Sequence, residues 1–282
     1  MIAQFNQKRI VVRRAALTLC LAVSVVSLGS CKNAFDEGSK KNSNEGYYFD
    51  AQQLIDKRDY TGAITKLNAL TPAFKARRDV VATTASAYAG RCGLDFLSLA
   101  KSISDNPSLR IFPVLLLNFS ASTTGSITDC SQAETLMRTL APADDFTQLT
   151  RDEAAFLAMV SLSKIGSIMG TYADLDKNAV ADPGFDSCNT TQLPDARARD
   201  TAVSLNLAAA ALNASGTTVG GSTFSNLNTA CASFPAGTSP CGIYDPNALT
   251  VNQVKVVGGL IKAQDIVGLG TCANTTQMCT CP

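Results

Sequence analysis

From Tyr47 onward the apolar residues recur at helical rather than strand spacing. Leu54 and Ile55, then Ala63, Ile64, Leu67 and Leu70, mark two amphipathic helices, and Asp59-Tyr60-Thr61-Gly62 breaks the run between them. Asn106-Pro107 ends that unit. Residues 108–119 read as a short buried helix or loop, because Leu115-Leu116-Leu117 suits either. Thr123-Thr124-Gly125-Ser126 reads as a polar loop. Ser131-Gln132-Ala133-Glu134 then reads as a capping box, in which the first side chain and the fourth satisfy each other's backbone N–H, opening a helix that Pro142 ends.

Thr150-Arg151-Asp152-Glu153 is a second such box and opens the longest helix. Its apolar positions Phe156, Leu157, Val160, Ile165, Ile168 and Met169 leave few polar places, which predicts a central position in the core. Residues 174–193 are rich in Asp, Asn and Thr and read as a loop. Pro194-Asp195 begins another helix, with Val203, Leu205, Leu207, Leu212 and an alanine run at 208–211 suited to close packing. Residues 215–246, rich in Gly, Ser, Thr and Pro, form a long loop. Thr250-Val251-Asn252-Gln253 caps a last helix whose apolar face holds Val251, Val254, Val257, Ile261 and Val267, ended by Gly268-Leu269-Gly270. Period-2 alternation is nowhere sustained. The fold class expected is therefore all-α, with antiparallel helix pairs and long loops.

The N-terminus is patterned differently. Lys8, Arg9, Arg13 and Arg14 form a basic region, and residues 15–28 are apolar apart from Thr18, Ser24 and Ser27. That run is shorter than the about 20 residues a spanning helix needs, and it suits the apolar region of a signal peptide. Leu28-Gly29-Ser30-Cys31 closes it, and this tetrad resembles the lipobox of bacterial lipoprotein signal peptides. The resemblance implies that residues 1–30 are removed and that Cys31 carries a diacylglyceryl group on sulfur. By the same analogy Lys32, where an Asp is lacking, favours anchoring in an outer membrane over an inner one, with the protein facing the periplasm. Residues 31–46, polar and mixed in charge, are expected to be a flexible tether to a helical domain at 47–282.

Within that domain, Arg58-Asp59-Tyr60-Thr61-Gly62-Ala63-Ile64 resembles the turn joining the two helices of a tetratricopeptide repeat. A shift by the ~34-residue period aligns Leu54 with Tyr88, Tyr60 with Leu94 and Ala63 with Leu97. On this resemblance Ala87-Tyr88-Ala89-Gly90 ends a second helix A, and residues 95–103 form its helix B. Small residues would then let paired helices approach while the aromatic plugs the gap at the turn. Arg58 stands where the repeat has glycine, and Pro72 arrives early. Residues 47–104 would be tetratricopeptide-like, and 105–282 further helices and cysteine-rich loops.

Of ten cysteines, Cys20 would leave with the leader and Cys31 would carry lipid. Cys92, Cys130, Cys188, Cys231, Cys241, Cys272, Cys279 and Cys281 remain, an even set in a chain read as exported. Four disulfides are the expectation, among 105 connectivities. Cys231 with Cys241 and Cys92 with Cys130 are the pairs expected from local spacing. Cys272, Cys279 and Cys281 form a compact group, and such thiolates can hold a soft metal or exchange disulfides. With no basic neighbour beside them in sequence, they read as a tail pinned by structural bridges, one of them to Cys188 or elsewhere in the core.

Composition narrows the chemistry. The formal net charge is +1 and histidine is absent, so histidine-based nucleophilic or general-base catalysis and histidine metal ligation are excluded. Basic residues do not cluster after the leader, which removes the electrostatic footprint of nucleic-acid binding. Gly216 to Gly221 lacks the Lys-Ser/Thr ending of a phosphate-binding loop. Asp144-Asp145 reads as helix N-terminal charge near Thr150.

Asp174, Asp176, Asn178 and Asp182 place oxygen ligands at positions 1, 3, 5 and 9 of a stretch that matches the first part of an EF-hand loop, which would order the loop around calcium. Ala179 departs from the glycine at the sharp turn, and Phe185 from the bidentate glutamate at position 12. No catalytic constellation and no organic cofactor site is expected. The function expected is a lipid-anchored, non-enzymatic helical scaffold or binding module for protein or peptide partners. A ligand-binding accessory of a transport system is the alternative, and an enzyme of unknown type the remaining one. The partners expected are the membrane, through the lipid, and other envelope proteins.

Overall fold

A computed structural model describes residues 42–106, 110–216, 237–263, 267–272, 279, 281 and 282. Among these residues the secondary structure is helical throughout, with ten α-helices, three short 3₁₀ segments and no strand. Side-chain caps fix most helix starts. Ser43 accepts from the Gly46 N–H at 3.1 Å to open α1 (Asn44–Asp56). Asp59 accepts from Gly62 at 2.9 Å to open α2 (Tyr60–Asn68), and Asp95 accepts from Ser98 at 3.1 Å to open α5 (Phe96–Asp105). Each cap satisfies an N–H with no partner inside the helix. Because Ser43 is a competent cap, α1 begins inside the stretch expected to be tether.

α1 and α2 pack on each other and on α4 (Arg78–Cys92), with the four-residue α3 (Pro72–Lys75) between. Their shared core is small: Ala51, Ala63, Ile64, Leu67, Leu70, Val80 and Ala87. Tyr60 fills the space between α2 and α4. A β-carbon on Gly90 would lie 2.2 Å from the Tyr60 ring, so only glycine fits beneath it. Arg58, at the α1–α2 turn, takes φ 60°, the left-handed conformation that glycine adopts without strain. α4 then packs chiefly on α7 (Thr124–Arg138), while α5 leans on α6 (Ile111–Phe119) instead of pairing with α4.

The larger core surrounds α8 (Arg151–Tyr172), which contacts α6, α7 and α9 (Asp195–Ser215); α10 (Val251–Lys262) covers α9. α8 is the one described helix long and apolar enough to cross a membrane, but most of it is buried inside the fold. It is a core helix. Glycines set its closest contact: β-carbons at Gly166 and Gly170 would meet the Phe119 ring at 2.4 Å and the Phe119 carbonyl oxygen at 2.0 Å.

Three expectations are corrected. α7 starts at Thr124, where Thr123 and Ser126 form the capping box, and not at Ser131; Glu134 is buried mid-helix and paired with a lysine instead of capping an end. α10 ends at Lys262, so Val267 is buried in the segment beyond the helix. Asp144 and Asp145 do not serve the start of α8. Asp144 pairs with Arg138 at 2.9 Å, and Asp145 accepts from the Thr147 N–H at 3.2 Å.

Disulfides join distant elements. Cys92–Cys130 ties α4 to α7 as expected and Cys188–Cys281 ties the 174–193 loop to the tail, while Cys272–Cys279 joins two cysteines only 7 positions apart in the tail. Cys241 is disulfide-bonded, and its expected partner Cys231 lies outside the described residues, as does Cys31.

Candidate functional site

The loop after α8 brings the sequence-identified oxygens together. Asp174, Asp176 and Asp182 hold carboxylate oxygens within 4.8 Å of one another. Asp174 is fully buried at the end of α8, and its two oxygens accept the N–H groups of Asn178 at 2.9 Å and Ala179 at 3.0 Å. Asp182 reaches back to the Leu175 N–H at 2.7 Å, and Asp176 accepts from the Asn178 side chain at 2.8 Å. Asn178 spends its own oxygen on the Val180 N–H at 2.8 Å. Lys177 turns away to the carbonyls of Ser122 and Gly170.

Three carboxylates are thus left with no ammonium among them, a donor set suited to a hard cation. Asn178 is the poorest of the four expected ligands because it is uncharged and has a single oxygen, which the Val180 N–H already occupies. Ala179 takes φ 68°, so the position where an EF-hand has glycine is left-handed here too. Phe185 is buried in the core and supplies no ligand, which leaves most of a calcium shell to water.

A second polar group lies deep between α7, α8 and α9. Lys164, 5 % exposed, pairs with Glu134 at 2.8 Å and with Asp200 at 3.4 Å. Ser204 donates to the other Glu134 oxygen at 2.7 Å, and Arg197 holds Asp200 at 2.8 Å. Burial pulls the Lys164 ammonium down, but the Glu134 and Asp200 carboxylates outweigh it and hold the group above its ordinary value. A lysine so paired is not a free base or nucleophile. Lys164 is the one charged residue among positions 156–169, a signal of a buried partner that the sequence reading passed over.

At the start of α9 an open cleft of about 230 Å³ is lined by Ser187, Cys188, Asp195, Val254, Lys255 and Cys281, among others. Asp195 and Lys255 form no ion pair with a described residue, and Val251 at the rim is 63 % exposed. One tail cysteine, Cys281, thus shares a cleft with a lysine of α10, Lys255, while near its partner Cys188 the Lys262 ammonium pairs at 3.0 Å with Asp186, which accepts the Cys188 N–H at 2.9 Å. Nothing in the sequence spacing shows this, because α10 and the cysteines meet only in the fold. Between α9 and α10 an apolar pocket lined by Phe112, Leu205, Val257 and Leu260 holds only about 10 Å³, scarcely one water.

No family model, no curated protein and no solved structure matches this chain.

Proposed function

We propose that this chain is a lipid-anchored envelope protein whose helical body serves as a scaffold or binding module for protein or peptide partners. The reading rests first on Leu28-Gly29-Ser30-Cys31 behind a basic and apolar leader. Between Cys31 and the start of α1 at Asn44 lie the twelve residues 32–43. The observation that carries the binding role is the surface of the N-terminal helices, where large apolar side chains remain uncovered. Phe49 on α1 is 59 % exposed and Leu97 on α5 is 78 % exposed, with Phe96 beside it and Leu117 open on α6. The α1–α2 turn with Tyr60 seated on Gly90 supports the likeness to a tetratricopeptide hairpin, although α4 takes α7 as its main partner.

Outer-membrane anchoring facing the periplasm, with no enzymatic activity, belongs to the same reading. A single myristoyl chain binds membranes at only about 10⁴ M⁻¹, so the two or three chains a lipobox implies would hold the body permanently. Metabolic labelling with palmitate tests the anchor. Wild type should be labelled and sediment with membranes, and Cys31→Ser should lose both properties; an unchanged membrane fraction with normal cleavage refutes the lipobox. Photo-crosslinking from position 97 in cells tests the scaffold, and a set of discrete envelope-protein adducts is expected.

A ligand-binding accessory role is the second reading, favoured by the cleft beside Asp195 and Lys255. The enclosed apolar pocket does not support it, being too small for a ligand. Calcium at Asp174, Asp176 and Asp182 would be structural in either case, ordering the loop that leads to Cys188.

A further inference from the structure

The geometry points to Cys188–Cys281 as a site of thiol–disulfide exchange, a bridge that an external dithiol opens while the body stays folded. Three observations carry it. The first is placement: Cys188 and Cys281 are both partly exposed and line the open cleft of about 230 Å³. Cys92 and Cys130, by contrast, are 2 % and 0 % exposed, with the Ser167 hydroxyl packed against both sulfurs at 3.6 and 3.5 Å. A disulfide reacts by in-line attack of a thiolate on one sulfur, so access selects which bridge opens.

The second observation is the backing of one sulfur. A β-carbon on Gly258 of α10 would lie 2.6 Å from Cys281 Sγ, so that sulfur is pressed against the helix backbone and shielded on that side. Cys188 Sγ is then the atom attacked. The third is charge. Lys255 lines the same cleft without an ion-pair partner among the described residues, and a positive charge at this rim favours both an arriving thiolate and the departing one. Asp195 lines the cleft as well and opposes both.

The step balances with a dithiol as the named reductant. One thiolate attacks Cys188 Sγ; the Cys188–Cys281 bond breaks, a mixed disulfide forms at Cys188, and Cys281 leaves as a thiolate that takes a proton from water. The second thiol of the reagent, deprotonated, attacks the mixed disulfide. Cys188 is released as a thiol, the dithiol departs oxidised, and two electrons have passed to the protein. The reverse sequence closes the bridge. Opening it frees the 174–193 loop, with its aspartate cluster, from residues 281 and 282.

The test is a time course on the native full chain with dithiothreitol as the probe, trapped by alkylation and read by mass spectrometry, with circular dichroism recorded in parallel. Cys188 and Cys281 should become labelled faster than Cys92 and Cys130 by on the order of tenfold or more, before helicity falls. Lys255→Gln should slow the labelling and Asp195→Asn should speed it, each about two- to fivefold at low salt, with Lys255→Arg restoring the rate. Labelling of Cys188 and Cys281 only together with Cys92 and Cys130 would overturn the proposal. So would opening of Cys272–Cys279 alone, or rates indifferent to both charge substitutions.

Discussion

The carbonyl oxygen of Phe119 sits 2.0 Å from where a β-carbon on Gly170 would stand. The end of α6 therefore meets α8 backbone to backbone, one turn beyond Gly166, where the Phe119 ring takes the same space. Gly170→Ala should force the two helices apart and cost about 3 kcal/mol or more, since overpacking a dense core costs about 1–3 kcal/mol even where side chains can shift. Urea unfolding measures it. A loss under 1 kcal/mol would mean that α6 is not held against α8 in this way.

Lys164 and Glu134 should be separable by a mutant cycle. Lys164→Met alone leaves the Glu134 carboxylate buried with only Ser204 on it, and the expected loss is about 3–5 kcal/mol. Combining it with Glu134→Leu removes the stranded charge and should recover most of that loss. If the double variant is as unstable as the sum of the singles, the pair is not coupled as the structure places it.

Glu153 gives stability a pH dependence. Arg78 on α4 forks onto its carboxylate, at 2.6 Å for the shorter contact, and this hydrogen-bonded contact pushes its pKa down from 4.5 to about 2. Because the folded value lies below the unfolded one, the contribution is complete above about pH 5 and is lost as pH falls toward 2. Allowing for the exposure of Arg78, it amounts to about 1–2 kcal/mol. Melting temperatures of wild type and Glu153→Gln should differ at pH 7 and converge near pH 2. Parallel curves throughout would contradict the assignment.

The aspartate loop makes two predictions of different origin. Asp174→Ala strips the Asn178 and Ala179 N–H groups of their acceptor and should cost about 2–3 kcal/mol with or without calcium. Millimolar calcium should raise the melting temperature of wild type by a few degrees, corresponding to about 1–2 kcal/mol, and should not do so for Asp182→Asn. An unmoved wild type would leave the loop closed by its own hydrogen bonds alone. Ala179→Gly relieves a φ of 68° and should stabilise the protein by about 1 kcal/mol.

Local chemistry explains what was legible beforehand. The capping boxes at Thr150 and Thr250, the helix beginning at Pro194-Asp195, and the Cys92–Cys130 bridge all stand where the sequence puts them. A cap is a contact over three residues, and a disulfide needs only two cysteines and an approach. The box expected at Ser131 failed for a related reason. Glu134 has the right spacing for a cap, but Lys164 on another helix offers its carboxylate a stronger partner.

The amino-acid sequence by itself determined the all-helical class, the central place of residues 151–172 and the grouping of Asp174, Asp176 and Asp182, because helix periodicity and short loops are encoded within a few neighbouring residues. Only the packing of the helices settles that α4 pairs with α7 and not α5, that Gly166 and Gly170 admit Phe119, and that Lys255 shares a cleft with Cys188. Those relationships join residues far apart in the chain, 38 positions for Cys92 and Cys130 of α4 and α7, and they arise from excluded volume, burial and charge brought together by packing. No spacing rule carries any of them, so they exist only once the helices are packed.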